Sequence, residues 1–184
     1  GGFATHALWM LGKTEQSLKY AGQCALWGDA LDHAGSSLHV IEIHLLLYQF
    51  RREPEQLVPW ISKLEEFCAE NDLPEYEGKL DFNRGWLMAS RNDTEAGINL
   101  MRKGLENQRS LGSLEDIPMF SEKLATILGD TNQIDSGLDY LEKALDTAET
   151  YGLCYWFAEV HRRKGELLQR NGDNSRAMQC YHRA

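Results

Sequence analysis

The feature that most constrains this chain is an internal echo with a period of forty residues. Stepping by forty from Ser17 reaches Leu57, Gly97, Gly137 and Ala177; the next column, Leu18, Val58, Ile98, Leu138 and Met178, is apolar throughout. Three residues on, Ala21, Ile61, Met101, Leu141 and Tyr181 are again apolar, and Cys24, Leu64, Gly104, Ala144 and Ala184 form a small or apolar column. Upstream, Thr5, Leu45, Gly85, Ala125 and Gly165 make a mostly small column, followed by Leu8, Tyr48, Met88, Leu128 and Leu168. Offsets of three and four within each set are helical spacing. Two mostly small columns twelve residues apart suit two helices whose backbones approach closely.

Turn residues fall between these columns. Within copies lie Gly12-Lys13-Thr14, Arg52-Glu53-Pro54, Arg91-Asn92-Asp93, Gly129-Asp130-Thr131 and Asn171-Gly172-Asp173. Between copies lie His33-Ala34-Gly35-Ser36, Asn71-Asp72-Leu73-Pro74, Leu111-Gly112-Ser113 and Tyr151-Gly152. Gly and Asn end helices in the left-handed conformation, and Asp, Thr and Ser cap the next helix. Pro74 and Pro118 fall near helix starts, where a missing N–H costs little; Pro59 falls just inside a helix and predicts at most a slight kink. No sustained alternation or Asn-Gly hairpin marks a strand.

The expected fold class is therefore all-α: about five helix-turn-helix repeats of forty residues, stacked in a right-handed α-α superhelix, because one hairpin cannot bury its own apolar face. The repeats span approximately 1–34, 35–73, 74–113, 114–153 and 154–184 in a single domain, the last truncated. The chain opens without Met and reads as a fragment of a larger protein.

Composition narrows the partners. The net charge of −9 disfavours nucleic acid or an anionic membrane. The best basic cluster, Arg162, Arg163, Lys164 and Arg170, reads as a solvated helix face. Cys24, Cys68, Cys154 and Cys180 are scattered with no CxxC pair, which fits a reducing cytoplasm. The longest apolar run, VIEIHLLLYQF, is shorter than a membrane span.

Chemistry-bearing patterns give way to structural readings. LGKT at Leu11–Thr14 would be a phosphate loop only if residue 7 were Gly, and it is Ala7. Cys180 and His182 point about 200 degrees apart on a helix and cannot close on one metal with His161 and Cys154; His39 and His44 also diverge. Paired acids such as Glu65-Glu66, Glu75/Glu77 and Glu115-Asp116 fall at helix ends or on exposed faces, where the helix dipole accounts for those near N-termini. The expectation is a chain with no catalytic residues, no metal and no cofactor.

The pattern Gly165, Leu168, Ala177, Tyr181, Ala184 resembles the tetratricopeptide repeat, with helices about a turn longer. The segments ALWMLGKTEQSLKYAGQCALWGDALDH, RGWLMASRNDTEAGINLMRKGLENQRSLGS and WFAEVHRRKGELLQRNGDNSRAMQCYHRA resemble successive parts of a bacterial helical region. That region follows the ATPase module in multidomain adenylate cyclase-associated regulators and signal-transduction ATPases with numerous domains. The resemblance implies an array that senses an inducer or protein and restrains the ATPase. It also implies that the first helix of each pair lines a concave groove. Carried over, the groove positions hold His6 and Trp9; Glu42, Leu46 and Gln49; Phe82 and Trp86; Glu122 and Thr126; and Glu159, Arg162 and Glu166. Phe82 and Trp86, one turn apart, either anchor a partner or pack against the neighbouring hairpin.

The expected function is a non-catalytic sensor or scaffold of a bacterial signalling or transcription-regulatory protein, binding a protein segment or regulatory domain, other domains of the parent included. Two alternatives remain: polar groove residues closing around a small-molecule inducer, and a homo-oligomer formed through uncapped array ends, where Met178 and Tyr181 need a partner.

Overall fold

The computed structural model describes residues 2–31 and 33–184, the Asp29 side chain excepted. Among the described residues there are ten α-helices and no strand. They divide into two compact units, Gly1–Leu73 and Pro74–Ala184, each described by itself. The division falls at an expected repeat boundary.

The first unit holds α1 (Gly2–Met10), α2 (Thr14–Leu31), α3 (Ala34–Arg51) and α4 (Pro54–Asn71). α1 pairs with α2 and α3 with α4, and α3 also packs on both α1 and α2. Pro54 opens α4, and the helix runs through Pro59 without ending there. His33 caps α3 by accepting the Ser36 N–H. The expected turn at His33–Ser36 is thus already helical from Ala34 onward.

The second unit holds α5 (Glu77–Ser90), α6 (Thr94–Ser110), α7 (Ile117–Asp130), α8 (Ile134–Tyr151), α9 (Phe157–Arg170) and α10 (Asn174–Arg183). Single 3-10 turns at Pro74–Tyr76 and Cys154–Trp156 lead into α5 and α9. Consecutive helices pair as α5/α6, α7/α8 and α9/α10; α7 also packs on α6, and α9 on both α7 and α8.

The forty-residue register is a packing register. Thr5, Leu45, Gly85, Ala125, Gly165 and their partners Ser17, Leu57, Gly97, Gly137, Ala177 are all buried. The two helices touch at Thr5/Ser17, Gly85/Gly97 and Ala125/Gly137, and across all five pairs the side chains differ while the burial does not. The turns obey the same period. Every described residue with positive φ lies in one of two columns: Gly12, Arg52, Asn92, Asn132 and Gly172, or Asp72, Gly112 and Gly152.

This register corrects the turn expected at Gly129–Thr131. α7 continues to Asp130 and the left-handed residue is Asn132, with φ 61°. Gly129 is buried inside the helix, where a methyl group would lie 2.6 Å from Leu167. It is a site of close approach, not a helix terminator.

Met178 also differs from its column: Ile98 is 3% exposed but Met178 is 55% exposed. Leu138, one period earlier, packs against the cluster of Leu168, Ala177 and Cys180.

Candidate functional site

The groove positions fall on first helices of the pairs, and they differ in kind between the two units. In the first unit, the α1 and α3 positions form an aromatic seam. His6 Nε2 lies 3.2 Å from the Ile43 carbonyl oxygen, and its ring meets Phe50 edge-on at 5.7 Å. Trp9 stacks on Phe50 at 6.3 Å and 19°, with the Arg51 guanidinium 6.0 Å from its ring. Glu42 and Leu46 are half-buried, and Gln49 is only 3% exposed. This seam is mostly α1–α3 packing with a half-open edge at Trp9 and Leu46.

In the second unit, the two readings of Phe82 resolve on packing. Phe82 of α5 is fully buried and stacks face to face on Phe120 of α7, 3.9 Å between centroids and 3° between planes. It joins two first helices and presents no surface to a partner. Trp86 is 8% exposed. A pair at i and i+4 shares a face of the helix, and here that face is largely enclosed.

The remaining positions, Glu122 and Thr126 on α7 and Glu159, Arg162 and Glu166 on α9, converge on one charged cluster. Glu122 is 4% exposed, and its Oε1 accepts from Thr126 Oγ1 at 2.9 Å and from Arg163 Nε at 3.1 Å. Arg163 also donates to Glu166 Oε2 at 2.6 Å. Arg162 donates to both oxygens of Glu159, at 2.5 and 2.6 Å, and to Glu166. The hydrogen bond to Glu159 leads the causes that raise the Arg162 pKa, burial opposing it. Bidentate guanidinium–carboxylate pairs fix geometry as well as charge. Arg163 therefore clamps α9 to α7, while Arg162, with its side chain 39% exposed, is held ready on the outside.

Beside this cluster is a cleft of about 300 Å³ lined by Thr126, Asp130, Arg163, Glu166, Leu167, Gln169 and Arg170. Arg170, in its lining, donates to the Gly129 carbonyl oxygen at 2.7 Å, with Asp130 3.6 Å away.

Arg163 and Arg170 were missed as site residues, and the solvated-face reading of the basic run needs correction. Arg163 and Lys164 have side chains only 16% and 15% exposed, and Lys164 reaches Glu142 of α8 at 3.2 Å. Arg163, Lys164 and Arg170 are paired across hairpins, and Arg162 within α9. The available signal was the period itself: Arg163 and Leu167 share columns with Ile43 and Leu47, which are buried in the first unit. That face of a first helix packs on the preceding hairpin.

Among the described residues, no group of three or more His, Cys, Asp or Glu is arranged to hold a metal ion, and no helix is long and apolar enough to cross a membrane.

No family model matches the chain. It is 26% identical over 172 residues to the uncharacterized protein R02095 of Rhizobium meliloti (strain 1021), an alignment covering 94% of this chain and 17% of that protein. The chain thus spans about a sixth of that relative's length. Among solved structures it is similar to BtubC (BKLC) from P. vanneervenii, with TM-score 0.61 and 13% identity over 97% of this chain and 74% of that one. It is also similar to MamA, with TM-score 0.52 and 12% identity over 97% of this chain and 91% of that one. At such identities the likeness is one of fold: an all-helical, tetratricopeptide-like repeat.

Proposed function

We propose that the chain is a non-catalytic protein-interaction scaffold that engages a protein segment or regulatory domain through the α7–α9 face. The observation that carries this reading is the convergence of Glu122, Thr126, Glu159, Arg162 and Glu166 from two helices onto one fixed charge array. Such an array can discriminate partners by charge register while Arg163 keeps the two helices aligned. The setting is the cytoplasm of a bacterial signalling regulator of the cyclase-associated or signal-transduction ATPase type. The segment resemblance supports it, as do the match to a much longer bacterial protein and four free cysteines.

The test is a peptide library screened by fluorescence polarisation against the chain and its Arg162→Glu variant. Arg162 is partly exposed, so reversal should leave the circular dichroism spectrum in place, with the melting temperature lowered slightly by the like charges of Glu159 and Glu166. Removing a charge-assisted contact weakens a partner by about tenfold or more. Binders that ignore Arg162→Glu would remove the α7–α9 face from consideration.

A second reading, small-molecule sensing, rests on the 300 Å³ cleft with its convergent polar lining, at the lower end of ligand-site volumes. A metabolite library read by thermal shift tests it. Shifts that vanish in Gln169→Ala support sensing, and no shift from any compound counts against it.

A further inference from the structure

The second unit has two edges of helix ends, and they carry different chemistry. The turns inside its hairpins, residues 90–93, 130–133 and 170–173, mix Arg91 and Arg170 with Asp93, Asp130 and Asp173, and they hold no aromatic or large aliphatic residue. The segments between hairpins form the opposite edge. Residues 74–77, 110–116 and 149–156 contain no Lys or Arg. Their exposed charges, Glu75, Glu77, Glu115 and Glu149, are all acids. Among them Leu111, Tyr151 and Tyr155 are each more than half exposed.

Polar contacts hold this edge in shape. Lys79 of α5, its side chain nearly buried, reaches Asp116 at 2.8 Å and Glu115 at 3.3 Å, which ties the turn before α7 to α5. Ser113 Oγ donates to the Glu115 carboxylate, 3.0 and 3.2 Å from its two oxygens. The Tyr155 hydroxyl donates to the Glu115 carbonyl oxygen at 3.4 Å and joins that turn to the next. The forty-residue register thus aligns two rows across hairpins: Leu111 with Tyr151, and Glu75 with Glu115 and Tyr155. Both rows stay open inside the array. Leu111 and the Glu115 side chain are each more than half exposed although the following turn packs on this loop through Tyr155. A single exposed apolar side chain is ordinary. Recurrence in one column, flanked by carboxylates alone, has the make-up of a docking surface.

We propose that this edge docks a basic amphipathic helix of a partner protein. Packed helices lie about 8–10 Å apart, and a helix rises about 1.5 Å per residue. A partner helix lying along the edge therefore meets successive hairpins with residues about seven apart. Its apolar side chains cover Leu111 and Tyr151, while Lys or Arg beside them face Glu75 and Glu115. The same carboxylates repel an anionic membrane or nucleic acid. None of these residues belongs to the charged cluster of α7 and α9, so the edge is a second surface.

The experiment uses the whole chain and a fluorescein-labelled peptide of about eighteen residues, made of Leu and Lys with the leucines on one helical face. Fluorescence polarisation should show saturable binding, and a peptide of the same composition in scrambled order should bind about tenfold more weakly. Leu111→Ser with Tyr151→Ser should weaken the patterned peptide about tenfold or more, and Glu75→Gln with Glu77→Gln should weaken it a few fold. All four side chains are exposed, so the circular dichroism spectrum should match that of the native chain. Arg162→Glu should leave this binding within about twofold, which separates the edge from the α7–α9 face. Loss of binding in Arg162→Glu overturns the proposal, as does a patterned peptide that does not bind or binds no better than the scrambled one. An affinity unmoved by Leu111→Ser with Tyr151→Ser overturns it too. So does a native dimer, seen by light scattering, that this double variant converts to monomer, because a second copy then occupies the edge.

Discussion

The α3/α4 hairpin of the first unit and the α5/α6 hairpin of the second solve one packing problem in opposite ways. At the paired columns α3/α4 holds Leu45, 3% exposed, and Leu57, fully buried. The same positions in α5/α6 hold Gly85 and Gly97, where a methyl group on either would lie 2.6 or 2.5 Å from the other's carbonyl oxygen. Gly78 and Gly104 repeat the arrangement two turns away, at 2.8 and 2.5 Å. One hairpin is held by buried side chains and the other by backbone touching backbone, where Cα–H···O contacts become available. The period thus preserves burial and register, and leaves the chemistry of each contact free.

The sharpest way to break the comparison is to remove the side-chain half. Leu57→Ala should destabilise the first unit by about 2–5 kcal/mol, from lost transfer energy and the cavity left behind. Urea unfolding gives the magnitude, and residue-resolved exchange should place the loss in α3 and α4. Exchange that rises equally in the α5/α6 hairpin would mean the two contacts are not independent.

Gly97→Ala probes the other half, and two effects compete. Alanine favours the helix by about 1 kcal/mol over glycine, while overpacking costs about 1–3 kcal/mol. Here the obstructing atom is a carbonyl oxygen, which cannot rotate away, so overpacking wins. The expected net loss is about 1–2 kcal/mol, read by urea unfolding. A stabilised variant would show that the α5/α6 backbones do not approach as described. The α1/α2 hairpin lies between the extremes: Ser17 Oγ donates to the Thr5 carbonyl oxygen at 2.8 Å, in a buried bond. Ser17→Ala removes it but leaves no unbonded serine group, so the loss should be about 0.5–1 kcal/mol by the same measurement.

The period made most of the fold legible, because small and apolar residues at fixed offsets are a direct trace of helix contact. All ten members of the paired columns are buried. What stayed hidden depended on partners far along the chain. Gly129 resembles a helix end until Leu167, 38 positions later, is seen against it. Arg163 resembles solvated charge until Glu122, 41 positions away, is seen beneath it. Phe82 lies on the expected face of its helix, yet only Phe120 shows that this face is filled. The groove positions were readable by register; whether each is open is a property of its neighbour.

The smallest prediction has the opposite sign and uses the turn column to compare the units again. Gly12, Arg52, Asn92, Asn132 and Gly172 share one left-handed position. Arg52, with φ 55°, closes α3 by donating its N–H to Gln49 and Tyr48 carbonyl oxygens. A side chain with a Cβ pays about 1 kcal/mol in this region and glycine does not, although glycine adds entropy to the unfolded chain. Arg52→Gly should therefore stabilise the first unit by a few tenths to about 1 kcal/mol in urea unfolding. Asn132→Gly should gain less, because asparagine adopts the left-handed conformation more readily than arginine. If Asn132→Gly gains as much as Arg52→Gly, backbone strain is not what separates these two turns, and side-chain contacts at Arg52 must set its stability instead.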